Sequence, residues 1–465
     1  MLQLLLSTPV VLSLLALAFR SKAFNKATLA FFAVFYFFCC LFLVVHPVPA
    51  SSYFAVDGLN SIFLLLQSVV FLAALLYSIA FLTESGLTEE WQAYYTALML
   101  LFAFCLTGLT LTTHLGLFWV FLEATTLVTT PFIFAEKKRT SLEAAWKYIF
   151  ICSLGITFAF IGIILLSLGA KSVESLSFPD LYRQATEINS FWLSMAFVFL
   201  LVGFGTKAGL APLHSWLPDA HSEAPPPVSA LLSGALLNGA LLGILRMLEL
   251  MNRAGLGQYP RLLLICMGLM SLVICSVYTL KAVNYKRMLA YSSVEHIGIA
   301  TLAFGVGGAA VLPGLLHLVG HSLAKASLFL SSGNIHHRYK TRDIAGVTGV
   351  LSSDPGTGRL WIAGFLMLSA FPPSPLFYSE FLLLKEMLVQ RLYIPALMTA
   401  LLLTLILLSM GSVVFRMAFG GNSSAKAEHS GYLFLIPQII LLAAAAAAGF
   451  IPSEFYAFLS RGVFL

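Results

Sequence analysis

Apolar runs of close to twenty residues recur from one end of the chain to the other, separated by short polar segments. A run of that length, coiled as a helix rising about 1.5 Å per residue, crosses a hydrocarbon core of about 30 Å. The pattern predicts spans near 1–19, 27–46, 58–82, 91–113, 115–135, 143–168, 191–211, 227–250, 259–282, 288–306, 309–332, 358–388, 392–416 and 432–451. That is an all-α polytopic membrane protein of about fourteen transmembrane helices. No charged or low-complexity stretch is long enough to fold outside the bilayer, so residues 1–465 are expected to form one integral domain without a soluble catalytic module.

Composition agrees. With 59% hydrophobic and 10% charged residues and a mean hydropathy of +0.93, a soluble globular chain is excluded. The net charge of +6 speaks to orientation rather than to nucleic acid. One set of alternate loops holds Arg20, Lys22, Lys26, Lys137, Lys138, Arg139, Lys147, Lys281, Lys286, Arg287, Arg338, Lys340, Arg342, Arg359, Arg416 and Lys426. The other holds only Lys171, Arg183, Arg246, Arg253, Arg261, Lys385, Arg391 and Arg461. By the positive-inside rule the first set is cytoplasmic and both termini face out. The N-terminus lacks a basic n-region and a small-residue cleavage site before Arg20, so it reads as a first span and not as a removed signal. Cys39, Cys40, Cys105, Cys152, Cys266 and Cys275 lie in apolar runs without CxxC spacing, which indicates neither a disulfide framework nor an iron–sulfur or zinc site.

Ionisable residues inside the runs carry the candidate chemistry. Lys207 has apolar neighbours for more than a helical turn on each side. A charge at bilayer depth costs about 2.5–3.5 kcal/mol on insertion scales and is kept where it faces a partner or a water path. Pro212, just after it, removes a backbone donor and is expected to break the helix, which membranes tolerate where irregular backbone lines a polar cavity. Glu123 sits mid-span on the fifth run, with Lys207 as its candidate partner; a fixed ion pair that only holds helices together is the plainer reading. On the eleventh run His317, His321 and Lys325 fall at i, i+4 and i+8, within one helix face. Such a ladder suits proton hopping, since imidazole titrates near neutral pH and passes a proton between its ring nitrogens. Histidines satisfied by backbone are the alternative. A metal reading lacks nearby Cys or carboxylate ligands and the HExxH pattern. A second proline break, SAFPPSPLFYSEFLLL, carries Glu380 just after it. Two interrupted segments in corresponding places point to an inverted-repeat transporter site. Asn238, His214, His221, Glu295 and His296 complete a possible polar relay. GFGTKAG, Gly203 to Gly209, fails both nucleotide-loop spacings and is read as close-packing glycine.

KAGLAPLHSWLPDAHSEAPPPVSALLSG, from Lys207, resembles the signature of the antiporter-like membrane subunits shared by respiratory complex I, the Mrp cation/proton antiporters and the energy-converting hydrogenases. YKRMLAYSSVEHIGI, from Tyr285, resembles the hydrogenase-4 component F branch, of the formate hydrogenlyase type. The similarity runs from about Phe118 to Phe381. It implies fourteen helices, two inverted five-helix repeats at about 91–250 and 259–416 with broken helices seven and twelve, and an ion path along the membrane centre. Glu123, Lys207, the cluster His317, His321 and Lys325, and Glu380 match the family's path positions. One departure is Asn238, where many relatives carry lysine or histidine; an amide bonds water but does not titrate. The resemblance implies a proton-translocating subunit of a membrane-bound oxidoreductase complex, without a redox centre, cofactor or metal of its own. Its partners would be other membrane subunits and a peripheral iron–sulfur/nickel–iron or NADH-oxidising arm, in a prokaryotic cell membrane. Two alternatives stay open: a Na+/H+ antiporter subunit of an Mrp-like assembly, and a structural anchor that translocates nothing.

Overall fold

Hydrocarbon offers no water to an unpaired amide, so each apolar run must satisfy its backbone internally as a helix. In the computed structural model, which describes residues 1–46, 51, 53–171, 173–420, 430–450 and 457–460, the runs do so. The helices are α1 (Leu2–Phe19), α2 (Lys22–Val45), α3 (Gly58–Glu84), α4 (Glu89–Leu111), α5 (Leu115–Ile133), α6 (Arg139–Gly169), α7 (Phe178–Arg183), α8 (Ser190–Ala208), α9 (Trp216–Glu223), α10 (Pro226–Leu231), α11 (Leu237–Arg253), α12 (Gln258–Leu280), α13 (Tyr285–Val306), α14 (Val311–Tyr339), α15 (Val350–Ser353), α16 (Pro355–Leu368), α17 (Pro375–Val389), α18 (Tyr393–Phe419) and α19 (Tyr432–Phe450). A π-helical turn at Leu232–Leu236 joins α10 to α11. Twelve of these segments, with α10 and α11 taken as one, are long and apolar enough to cross a membrane among the described residues. α14, at 29 residues, is as long as most of them. Lys426, Arg461 and the end of the last expected span, at 451, lie outside the described residues.

Two expected spans are interrupted. The expected run 191–211 stops at Ala208, and 358–388 divides into α16 and α17. The two breaks share one local design. Gly209 (φ 76°) and Ala370 (φ 57°) take left-handed backbone, each three residues before a proline, Pro212 and Pro373. The next amide then reaches back five residues: Leu210 N donates to the Gly205 carbonyl at 2.9 Å and Phe371 N to the Leu366 carbonyl at 3.0 Å. In both, the carbonyl three residues before the left-handed residue accepts from a side chain further on, and at the first break Thr206 O also keeps the Gly209 amide at 3.2 Å. Trp216 Nε1 donates to Thr206 O at 2.8 Å, and Ser374 Oγ to Met367 O at 2.6 Å. Broken helix is therefore kept without orphaned polar groups at these carbonyls.

The helices that carry the polar candidates form the interior. The membrane windows of Pro226–Arg253 and Tyr285–Val306 are wholly buried, whereas that of α1 is 22% buried. α6 packs on α8 and α12 on α13 at very short range. A Cβ placed on Gly203 would stand 2.5 Å from the Ala159 Cβ of α6, so only glycine allows this approach beside Lys207.

Charges collect at two ends. Arg342 pairs with Glu136 and, at 3.0 Å, with Glu223; Lys147 and Arg287 both pair with Asp219, at 3.2 and 2.9 Å. Arg246 pairs with Asp57, which also caps α3. Two residues counted as loop cations are in fact buried. Arg246 lies within α11 and is 7% exposed, and Lys286 is 2% exposed in the first turn of α13. Each is tolerated because it reaches oxygen: Arg246 the Asp57 carboxylate, Lys286 the carbonyls of Ser222 (3.3 Å) and Ala224 (2.7 Å).

Candidate functional site

Two polar clusters occupy the interior. In the first, Lys207 stands in the last turn of α8, where the free carbonyls of a helix C-terminus favour a cation. It is fully buried. Its Nζ donates to Thr125 Oγ1 at 3.2 Å and to Tyr148 OH at 3.3 Å, and lies 5.2 Å from the centre of the Tyr148 ring. The expected contact with Glu123 is not formed. Half-buried Glu123 accepts from Ser153 Oγ at 2.6 Å and Thr126 Oγ1 at 3.2 Å, and no ion pair joins it to Lys207 among the described residues. The reason is geometric: hydroxyls from α5 and α6 fill the space, and Thr125, two residues past Glu123, turns toward the lysine instead. Sequence reading missed Tyr148, because a tyrosine in an apolar run is unremarkable until its hydroxyl is seen beside an ammonium.

The second cluster joins α13, α14 and α17. Lys325 Nζ donates to Leu289 O at 2.6 Å and to Ser292 Oγ. His317 Nε2 lies 3.0 Å from His296 Nδ1, and His317 Nδ1 lies 2.8 Å from Ser379 Oγ. The Ser379 hydroxyl donates to Leu376 O at 2.9 Å, which leaves its oxygen to accept from His317 Nδ1–H. His317 then presents a lone pair at Nε2, and His296 donates to it from Nδ1. His321 packs against His296 with the rings tilted by 35° and their centroids 5.1 Å apart, and neither of its ring nitrogens has a hydrogen-bond partner among the described residues. So the three members of the α14 ladder share a face, as expected, and all meet α13. His317 and His321 both lie against His296 of α13. Glu295, beside it, receives Cys275 Sγ at 3.8 Å.

Glu380 comes from α17. A carboxylate oxygen of Glu380, a nitrogen of His296 and a nitrogen of His317 all lie within 4.8 Å of one another. The objection that the histidines lack a carboxylate neighbour is thereby corrected: the carboxylate arrives from a helix some sixty residues further on, because α17 packs against α14. Glu295, His296, Ser369, Glu380 and Thr404 contribute the polar lining of a cavity of about 140 Å³.

A family described as "NADH:quinone oxidoreductase/Mrp antiporter, TM" matches residues 112–409. The chain belongs to that family. The hydrogenase-4 component F homolog of Methylacidiphilum infernorum (isolate V4) is 35% identical over 421 residues, covering 87% of each chain. In fold the chain is similar to a subunit of the membrane-bound sulfane sulfur reductase, an archaeal respiratory membrane complex, with TM-score 0.90, 21% identity and coverage of 99% and 96%. It is likewise similar to one of the Mrp complex from Dietzia sp. DQ12-45-1b, with TM-score 0.88, 19% identity and coverage of 99% and 96%. It is an antiporter-like membrane protein of the complex I, Mrp and hydrogenase kind.

In this family member the remaining relay candidates lie between the two clusters. Asn238 Nδ2 donates to Gly234 O at 3.1 Å and to Ser322 Oγ at 2.6 Å, tying α11 to α14 beside His321. Its Oδ1, both nitrogens of His221 and Nδ1 of His214 are buried without a partner among the described residues. His221 is stacked on Phe329 at 4.7 Å, and Ser233 and Ser293 bridge α13 to the π turn at 2.9 Å. The residues predicted for the site thus gather inside the protein in two groups, with Asn238, His221 and His214 between them.

Proposed function

We propose that this subunit translocates protons within a membrane-bound oxidoreductase complex of the hydrogenase-4 or formate hydrogenlyase type, through Glu123, Lys207, the α13–α14 histidines with Lys325, and Glu380. It carries no redox cofactor itself. The observation that supports this best is the run of buried polar atoms without protein partners between two buried lysines, at Asn238 Oδ1, His221 and His321. Buried polar groups of that kind are where ordered water binds, and a water file joins groups too far apart for direct transfer. The shared design of the two breaks supports two inverted repeats at about 91–250 and 259–416. α14 and the α16–α17 pair bring the passes to fourteen. By charge, the end carrying Arg342, Lys147 and Arg287 faces the cytoplasm and the termini face out. The name of the Methylacidiphilum relative supports the hydrogenase branch, with a peripheral nickel–iron and iron–sulfur arm as electron-transferring partner, in a prokaryotic cell membrane.

The test is Lys207→Ala in the assembled complex, with redox activity and proton pumping measured separately in sealed vesicles. Pumping should fall while the complex assembles. Undiminished pumping would overturn the reading. Cation-driven proton flux without an electron donor would assign the chain to Na+/H+ antiport instead, and loss of assembly alone would mark a structural anchor.

A further inference from the structure

We propose that His296, His317 and Glu380 form a site for an exogenous divalent transition-metal ion, Zn2+ in the cell's repertoire, that lies across the path and closes it. The donor set is two imidazoles and one carboxylate, the composition of open tetrahedral zinc sites whose fourth position takes water. Spacing supports it. The facing nitrogens of His296 and His317 are 3.0 Å apart, and two ligands on one tetrahedral zinc at about 2.0–2.1 Å stand roughly 3.3 Å apart. The Glu380 oxygen is within 4.8 Å of both and reaches the same centre by turning its side chain. Orientation is also provided. Ser379 holds His317 Nδ1–H at 2.8 Å, which aims the Nε2 lone pair at the common point, as outer partners of metal-bound histidine do. His296 needs only to carry its proton on Nε2 to offer Nδ1. The cavity of about 140 Å³ beside the trio has room for a metal-bound water. Its second carboxylate, Glu295, helps to offset the positive charge that one carboxylate leaves on the ion.

Binding follows from these residues alone. The consequence for transport rests on the proton-path reading: an ion that takes one nitrogen of each histidine, and the acid beside them, removes their exchangeable lone pairs, and proton transfer through them stops.

The experiment uses the full chain, purified in detergent without a polyhistidine tag and titrated with Co2+ as a spectroscopic probe. Expected are the intense visible bands of four-coordinate Co2+ at one ion per chain, abolished by Zn2+ competition. His296→Gln, His317→Gln and Glu380→Gln should each weaken binding by tenfold or more, and Ser379→Ala by about tenfold. His46→Gln, at the exposed end of α2, should change nothing. Absence of the bands, or binding indifferent to the three ligand substitutions, would overturn the site. Should those variants fail to fold, X-ray absorption on the wild-type Co2+ form decides: two imidazole nitrogens support the site, and oxygen ligands alone overturn it. Proton flux is read separately in vesicles. If Zn2+ binds at the trio and flux is unaffected, the transport reading fails and the metal site stands.

Discussion

Glu123→Gln separates a path in which acid and lysine act through intervening hydroxyls from a frozen ion pair. Removing one partner of a buried contact pair costs about 3–5 kcal/mol, because the other charge is left uncompensated. The carboxylate here is held by Ser153 at 2.6 Å and Thr126 at 3.2 Å and not by Lys207. The amide keeps an acceptor for Ser153, so the loss is the difference between charged and neutral hydrogen bonds, about 1–2 kcal/mol. The complex should assemble with a melting temperature only slightly lowered. Transport is different. The acid meets Thr126 and Ser153 and the ammonium Thr125 and Tyr148, and at an effective dielectric near 20 a charge pair beyond contact still attracts by about 1–3 kcal/mol. At about 1.4 kcal/mol per tenfold, that is a fall in the pumping rate on the order of 5- to 150-fold. The assay is dye-quenching proton uptake in sealed vesicles carrying the assembled complex, with redox turnover in parallel. Pumping within a factor of three of wild type would refute the coupling, and loss of assembly would restore the frozen pair.

Two further predictions concern the charged ends. Asp57→Asn should destabilise the chain by about 2–4 kcal/mol, because it leaves buried Arg246 without its carboxylate partner, while the amide oxygen keeps the α3 cap. Arg246→Met should cost clearly less, since Asp57 keeps 37% of its side chain in contact with solvent; equal losses in thermal unfolding would contradict this. At the opposite end burial raises the Glu136 carboxyl, but the Lys138 hydrogen bond and the charge of Arg342 outweigh it and hold the group below its ordinary 4.5. A depressed acid contributes stability above its unfolded value and loses it as pH falls through the folded one. Melting temperature should therefore be insensitive to this pair from pH 8 to 5 and fall below about 4.5, and Glu136→Gln should flatten that acid limb.

Much of the site was legible because membrane burial makes each charge conspicuous. Lys207 and Lys325 stand out for the apolar residues around them, and the i, i+4, i+8 spacing put His317, His321 and Lys325 on one face, which all meet α13. The prolines located both breaks. What stayed hidden was partnership across helices. His296 and His317 are 21 residues apart, and His317 and Ser379 are 62 apart. No periodicity within a span tells which neighbouring span it will face. Lys286 and Arg246 were misplaced for a related reason: a cation near the end of a run reads as loop, unless the carbonyls or carboxylate that will receive it are known. The same lack of partners made Glu123 and Lys207 look like a contact pair.

The two breaks carry the last prediction, because their bonding has a thermodynamic consequence. In each, helix is abandoned at a left-handed residue and one carbonyl accepts from a side chain further on: Thr206 O from Trp216 Nε1 at 2.8 Å, beside the Gly209 amide at 3.2 Å, and Met367 O from Ser374 Oγ at 2.6 Å. A buried carbonyl left without its donor costs about 1–3 kcal/mol. Trp216→Phe keeps an aromatic ring against Tyr148, whose centroid is 5.0 Å away, and removes the donor; Ser374→Ala does the same at the second break, and also releases Leu376 N. Because Thr206 O keeps the Gly209 amide and Ser374 holds two backbone groups, Ser374→Ala should lose more stability than Trp216→Phe, measured by thermal unfolding in the same detergent. If Trp216→Phe costs as much as Ser374→Ala or more, the indole bond and not the Gly209 amide holds the Thr206 carbonyl, and the expected order is refuted. On the proposed path the break beside Lys207 matters more. Its carbonyl end is what lets a cation reside in the last turn of α8, so a loosened Thr206 carbonyl should disturb pumping more than the equivalent change near Glu380.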